Sequence, residues 1–307
     1  MTAYLIKRLF SVIVLAFAIS VAVFLIIRLI PGDPVLAMLG TSAADPGIVA
    51  RLHRELGLNL PITTQYFHWI GGVLHGNLGY SYGQQEPVAS LIAANFMPTL
   101  ELTAVGLFLT IFFGLIIGVA AAIRRNSVFD TTTMAISMAF LSLPSFWLGL
   151  VLLVVFAVDL HWFAVVGGSG FKGLVLPAVT LALGGIGFTA RFVRSSVIEA
   201  MRQQHVLTSR AKGLSRRVVL LKHVVRNSLL PILTIVGLQT GNLLSGAILI
   251  EVVFSRPGLG RLLVDSILAK DYPTVQAVVL IIALMYATVN LIVDLLYPVL
   301  DPRVAYR

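Results

Sequence analysis

Six runs of about 20 predominantly apolar residues constrain this chain more than any other feature, because about that length of helix crosses a hydrocarbon core of roughly 30 Å. They span Leu9 to about Ile30, about Leu100 to Ile123, about Thr133 to Val158, about Leu174 to Phe192, about Leu229 to Phe254 and about Val275 to Tyr297. Backbone polar groups in lipid must be satisfied internally, so each run is expected to be a helix. Hydrophobic residues make up 58% of the chain and charged residues 11%, against roughly a quarter charged in soluble domains. The expected fold is all-α, a polytopic membrane protein with six transmembrane helices.

The charges orient it. Between Arg191 and Arg226 lie nine Lys or Arg residues (Arg191, Arg194, Arg202, Arg210, Lys212, Arg216, Arg217, Lys222 and Arg226) against one acid, Glu199. Positive charge beside span ends is retained on the cytoplasmic side. With Lys7, Arg8, Arg124, Arg125, Arg303 and Arg307 also inside, 15 of the 22 basic residues face the cytoplasm in an N-in, C-in arrangement. The net charge of +9 therefore reads as membrane orientation, and nucleic acid is not an expected partner. The first run has a secretory signal as its rival reading, but Pro31-Gly32-Asp33-Pro34 follows it in place of a small-x-small cleavage site, so an uncleaved anchor is expected.

Four segments follow: an N-terminal transmembrane helix over 1–30, an external insert over 31–98, a core of five transmembrane helices over 99–300 with a cytoplasmic loop at 193–228, and a tail at 301–307. In the insert, Ile48, Val49, Leu52 and Leu56 have helical spacing, and Pro61 is placed to open a second helix carrying Tyr66, Phe67 and Trp69. These aromatics are expected at the membrane interface, with a ligand platform as the alternative. Arg28 is expected to snorkel outward. Pro144 is expected to kink the third span, and Gly184, Gly185 and Gly187 to let helices approach in the fourth. The glycines of Pro257–Arg261 suggest a tight turn in preference to a ligand cradle.

Chemistry is sparse. No phosphate loop, H-E-x-x-H helix or G-x-S-x-G elbow occurs, and there is no cysteine. His53, His68 and His75 match no metal-ligand spacing. Asp294 is the clearest intramembrane acid and is expected to pair with Arg303 or a neighbouring base. No catalytic residue, metal site or cofactor is expected in this chain. In the basic segment, Ser195–His205 and Ser215–Arg226 have helical character, joined through Thr208, Ser209, Arg210, Ala211, Lys212, Gly213 and Leu214. Such a turn makes a protruding knob: Ala211 and Gly213 allow close backbone approach, and Arg210, Lys212 and Arg216 offer charge to an acidic groove. A solvated positive-inside loop is the plainer alternative. A channel, a secondary transporter, a membrane scaffold and the membrane part of a machine powered elsewhere all stay open on these grounds.

Several motifs narrow them. Leu29-Ile30-Pro31-Gly32-Asp33-Pro34, Leu56-Gly57-Leu58 with Gln65-Tyr66, and Gly76-Asn77-Leu78-Gly79-Tyr80-Ser81 precede Arg210-Ala211-Lys212-Gly213-Leu214 with Arg226-Asn227. Pro257-Gly258-Leu259-Gly260-Arg261-Leu262-Leu263 and Asp271-Tyr272-Pro273 follow. In these the chain resembles the integral-membrane permeases of binding-protein-dependent ABC importers, in the dipeptide, oligopeptide, glutathione and nickel branch. The resemblance implies the type I importer permease fold and a coupling helix over Thr208–Leu214 that inserts into a groove of an ATPase subunit. Gly213 matches the glycine of the family's coupling motif, while Leu207, Thr208 and Ser209 stand where the general motif has Glu-Ala-Ala, and Pro231 falls farther downstream, as is usual in the peptide branch. It further implies a second homologous permease, two ATP-binding subunits that hold ATP and Mg, an external solute-binding protein, and residence in the cytoplasmic (inner) membrane of a bacterium. The expected cargo is a peptide, with a nickel complex or other small solute as the alternative.

Overall fold

The computed structural model describes residues 2–29, 35–36, 46–55, 57–165 and 170–300. Helix α1 (Thr2–Leu29) is followed by two short helices, α2 (Pro46–Glu55) and α3 (Ile62–Leu74), and by a small hairpin, β1 (Tyr80–Ser81) with β2 (Glu86–Pro87). Then come α4 (Val88–Ile123), α5 (Val128–Ser142), α6 (Ser145–Leu153) with a π-helical turn at Val154–Asp159, and α7 (Gly170–Met201). The basic segment holds α8 (Gln204–Ala211), α9 (Arg216–Val218) and a second π-helical stretch, Val219–Val225. Helices α10 (Arg226–Val253), α11 (Leu259–Leu268) and α12 (Tyr272–Leu300) complete the chain. Among the described residues five helices are long and apolar enough to cross a membrane, and six spans result if the bent pair, α5 with α6 and its π-helical turn, counts as one.

That pair departs from the expected kink. The axes differ by 102°. The ring of Pro144 disfavours the α conformation at the residue before it, and here Leu143 is extended (φ −85°, ψ 135°), so α5 ends at Ser142 and a new helix starts after Pro144. The second span also differs: α4 begins at Val88, twelve residues before its apolar run, and carries Pro98 inside. Asn95, one turn earlier, donates from Nδ2 to the Leu91 carbonyl at 2.8 Å.

The chain divides into two compact units. In the unit formed by residues 100–256 and 289–307, α7 is central and packs on α5, α6 and α10. A Cβ on Gly187 would lie 2.6 Å from the Ser137 carbonyl oxygen, and one on Gly185 2.7 Å from Gln239 Nε2, so both mark close helix approaches. Gly184 has nothing nearer than 3.8 Å and has no such role. The tightest contact with α4 comes from Gly114 and Gly118, where a Cβ would stand 2.6 Å from Thr189 Cβ and from the Ala190 carbonyl oxygen respectively. Their spacing is the small-x-x-x-small pattern of membrane helix pairs. Leu102, Leu181, Leu243, Ala247, Ile250 and Phe254 fill the core at one end of this unit.

In the unit formed by residues 2–99 and 257–288, α3 lies on α1 through aromatic rings. Tyr66 meets Phe24 edge-on at 5.4 Å, and its hydroxyl shares a 2.8 Å hydrogen bond with Ser20 Oγ. The Arg28 guanidinium sits 3.8 Å over the Phe24 ring and its Nε donates to Gln65 Oε1 at 2.8 Å. The ring contacts make Tyr66 and Trp69 packing residues between α1 and α3.

Two distant motifs meet in the same unit. Ser81 Oγ donates to Asp271 Oδ2 at 2.5 Å across 190 residues, and Thr274 Oγ1 donates to the same oxygen at 2.7 Å. All three residues are buried. Pro273 approaches Gly79 closely enough that a Cβ there would be 3.2 Å away. Nearby, Leu259 N–H donates to Thr99 Oγ1 at 2.7 Å, tying the start of α11 to α4. The Pro257–Arg261 segment is thus a short turn that enters a helix.

Candidate coupling site

Sequence signals place Thr208 to Leu214 between two helices as a turn. The structure instead puts Thr208, Ser209, Arg210 and Ala211 in α8. Only Lys212 and Gly213 form the turn, with Leu214 beyond it. The helix persists because the hydroxyls of Thr208 and Ser209 bond back to the carbonyls of Gln204 and His205 at 3.1 and 2.8 Å, leaving the i→i−4 ladder intact. Its end is set by Gly213 at φ +76°, a left-handed conformation that L side chains avoid. Lys212 N–H reaches the Thr208 carbonyl at 3.0 Å and Leu214 N–H the Ser209 carbonyl at 3.4 Å, closing the last turn.

Within this chain no atom lies within 4 Å of where a Cβ on Gly213 would be. The glycine is needed for its φ, and the space around it is open. Exposure follows the same division. Leu207, Thr208, Ala211, Lys212, Gly213 and Leu214 are exposed, whereas Val206 is fully buried. Val206 packs in a cluster with Val193, Val197 and Ala200 of α7, Ala122 of α4, and Val219 and Val224 of the π-helical stretch. Helix α8 is therefore a short lever with an apolar root and an open tip. The π-helical stretch advances the backbone by one extra residue per turn; it presents Leu221 and Lys222 outward while keeping Val219 and Val224 in the root.

Behind this lever, Arg194 of α7 pairs with Asp130 at the start of α5, Nε to Oδ1 at 2.5 Å and Nη2 to Oδ2 at 2.7 Å. Asp130 is 3% exposed and also accepts from Asn126 N–H, so its charge is matched on both oxygens. This two-point fork locks the α4–α5 turn to α7. Sequence reading counted Arg194 only as one of nine basic residues, and the fork had no visible partner at that stage because Asp130 lies 64 residues away.

Among the described residues no group of three or more His, Asp or Glu side chains is placed to hold a metal ion. Asp294 lies inside α12, and Arg303, its expected partner, is outside the described residues.

Residues 114–306 match the family described as binding-protein-dependent transport system inner membrane component, and residues 1–103 match that family's N-terminal membrane component. The chain is 41% identical over all 307 residues to a protein of Salmonella choleraesuis (strain SC-B67) named glutathione transport system permease protein GsiC, covering the whole of both chains. It is 40% identical, again over the whole of both, to the protein of that name from Escherichia coli (strain K12). Permeases of this kind are transport components and not enzymes, and they work with ATPase and substrate-binding partners. The chain belongs to the inner-membrane permeases of binding-protein-dependent ABC importers and is a multi-pass protein of the inner membrane.

Proposed function

We propose that this chain carries glutathione or a closely related short peptide inward, as one half of a permease pair powered by two ATP-binding subunits and supplied by an external solute-binding protein. The observation that carries the cargo assignment is the full-length identity of 40–41% to permeases named for glutathione transport. In this reading the N- and C-termini and the basic segment face the cytoplasm, and ATP and Mg are held by the partner subunits.

The mechanism is alternating access. Closure of the nucleotide-binding pair pushes α8, and the push passes through Val206 into α7 and α4, since these helices share one buried cluster. Close-packed interiors transmit displacement as rigid-body motion. The Arg194–Asp130 fork carries the same motion into α5. Thr208, Ser209, Arg210, Ala211, Lys212, Gly213 and Leu214 are the coupling contact.

The test is uptake in cells lacking this chain and its partners, complemented with the full set of subunits. Labelled glutathione should enter in a binding-protein-dependent manner and be competed by glutathione disulfide or short peptides. Dipeptide or nickel uptake without glutathione uptake would overturn the cargo assignment and leave the importer reading in place.

A further inference from the structure

We propose that the cleft between the α4–α5 turn and the last turns of α7 binds the phosphodiester headgroup of an anionic phospholipid. The cleft is an open hollow of about 350 Å³ lined by Arg125, Asn126, Arg194, Ser195, Ile198, Glu199 and Arg202. Three arginines thus border one hollow, at the ends of two apolar spans.

The roles of the three differ. Arg194 is fixed by its two bonds to Asp130 through Nε and Nη2, which leaves Nη1 without a partner among the described residues and its donors available. Asp130 cancels the charge of Arg194, so the excess positive charge of the site comes from Arg125 and Arg202, both exposed, opposed by Glu199. A guanidinium matches phosphate oxygens with paired N–H donors, and basic hollows between membrane helices suit lipid headgroups. The shared chemistry is a phosphate anion, and the surroundings favour the lipid as its source. Val128 is 83% exposed, and Ile123 and Phe129 are exposed beside it, giving acyl chains an apolar wall next to the headgroup. Arg124 is stacked 5.0 Å over the Phe129 ring, which holds that wall at the charged turn.

The experiment uses the complete importer purified in mild detergent and exchanged into nanodiscs of phosphatidylcholine with a minor fraction of phosphatidylglycerol. Retained lipid is counted by native mass spectrometry. Arg125 and Arg202 are exposed, so Arg125→Gln and Arg202→Gln should leave the fold intact, and abundance and melting confirm that. Wild type should retain phosphatidylglycerol over phosphatidylcholine. Arg202→Gln should lower that retention about fivefold and the double variant further, since each basic residue near a membrane surface contributes on that scale. Glu199→Gln should raise it. Equal retention by wild type and the double variant, or no rise with Glu199→Gln, overturns the proposal. Displacement of the lipid by millimolar inorganic phosphate assigns the site to free anions instead. Loss of the ATP-binding subunits from Arg202→Gln with lipid retention unchanged assigns it to a protein contact.

Discussion

Helix α8 and the Ser81–Asp271 clamp are held in opposite ways. The root of α8 is apolar, drawn largely from residues within about a turn or two of each other along α7 and the π-helical stretch, and its polar tip is left open. The clamp buries its polar groups. Asp271 Oδ2 takes two hydroxyl donors, while Oδ1 has no partner among the described residues, nor do the buried Ser266 Oγ and Gln276 Nε2. A surface meant to meet a partner keeps its chemistry in reach, and stability has to come from beneath it. A junction that only has to join remote segments can spend its polar groups internally. The two should therefore respond differently to substitution: the tip of α8 in transport, the clamp in stability.

The largest effect is expected at Gly213. Gly213→Trp should insert at normal abundance and abolish uptake, with loss of the ATP-binding subunits from the purified complex. The sharper version sets Gly213→Val against Gly213→Asn. Asn tolerates left-handed φ and should keep most transport, while Val, a β-branched residue at φ +76°, should lose most of it. Equal loss in both would mean that the open space at Gly213, and not its φ, is what matters.

Next comes the clamp. Ser81→Ala removes a donor from a buried carboxylate and should destabilise the protein by about 1–3 kcal/mol, read as a lower melting temperature in detergent. ATPase stimulation per folded complex should stay near wild type. A transport defect at unchanged stability would erase the contrast with α8.

A helix-contact pair tests what lies between. Gly187→Ala places a Cβ against the Ser137 carbonyl and should lower stability by about 1–3 kcal/mol, whereas Gly184→Ala, three residues away, should be neutral or slightly stabilising. The smallest effect is expected for Arg28→Met, which keeps the stem over Phe24 but loses the cation and the Gln65 bond. About 1 kcal/mol of melting stability should go, with uptake intact.

Local patterns in the sequence account for much of the fold. The apolar runs mark the long helices because lipid leaves the backbone no alternative, and the two helices of the insert follow from Ile48, Val49 and Pro61. What stayed hidden depends on partners far along the chain. The bond of Arg28 reaches Gln65, 37 residues away, and the clamp joins Ser81 to a residue 190 positions on. The break at Pro144 was visible, but its 102° angle depends on the extended Leu143 and the packing of α6 on α7. The spacing of Gly114 and Gly118 carries the small-x-x-x-small signal, as the cluster at 184–187 does only in part. In the basic segment the positive φ of Gly213 leaves no mark in the sequence beyond the glycine itself. The polar run Thr208–Ser209–Arg210 looked like a loop, because hydroxyls that bond within the helix leave the same sequence signal as hydroxyls that end one. Nothing local pointed to Val206 as the root.

Coupling through the tip of α8 is tested most directly by cross-linking. The chain contains no cysteine, so Lys212→Cys introduces a single thiol at the exposed tip. A control thiol at Gly83→Cys sits in the exposed hairpin loop, with nothing within 4 Å. In the assembled importer, a short bifunctional reagent anchored at position 212 should trap an ATP-binding subunit, with a yield that changes when ATP is added, and the reagent at position 83 should not. Capture of an ATP-binding subunit from position 83 but not from position 212 would contradict the assignment of α8 as the coupling helix.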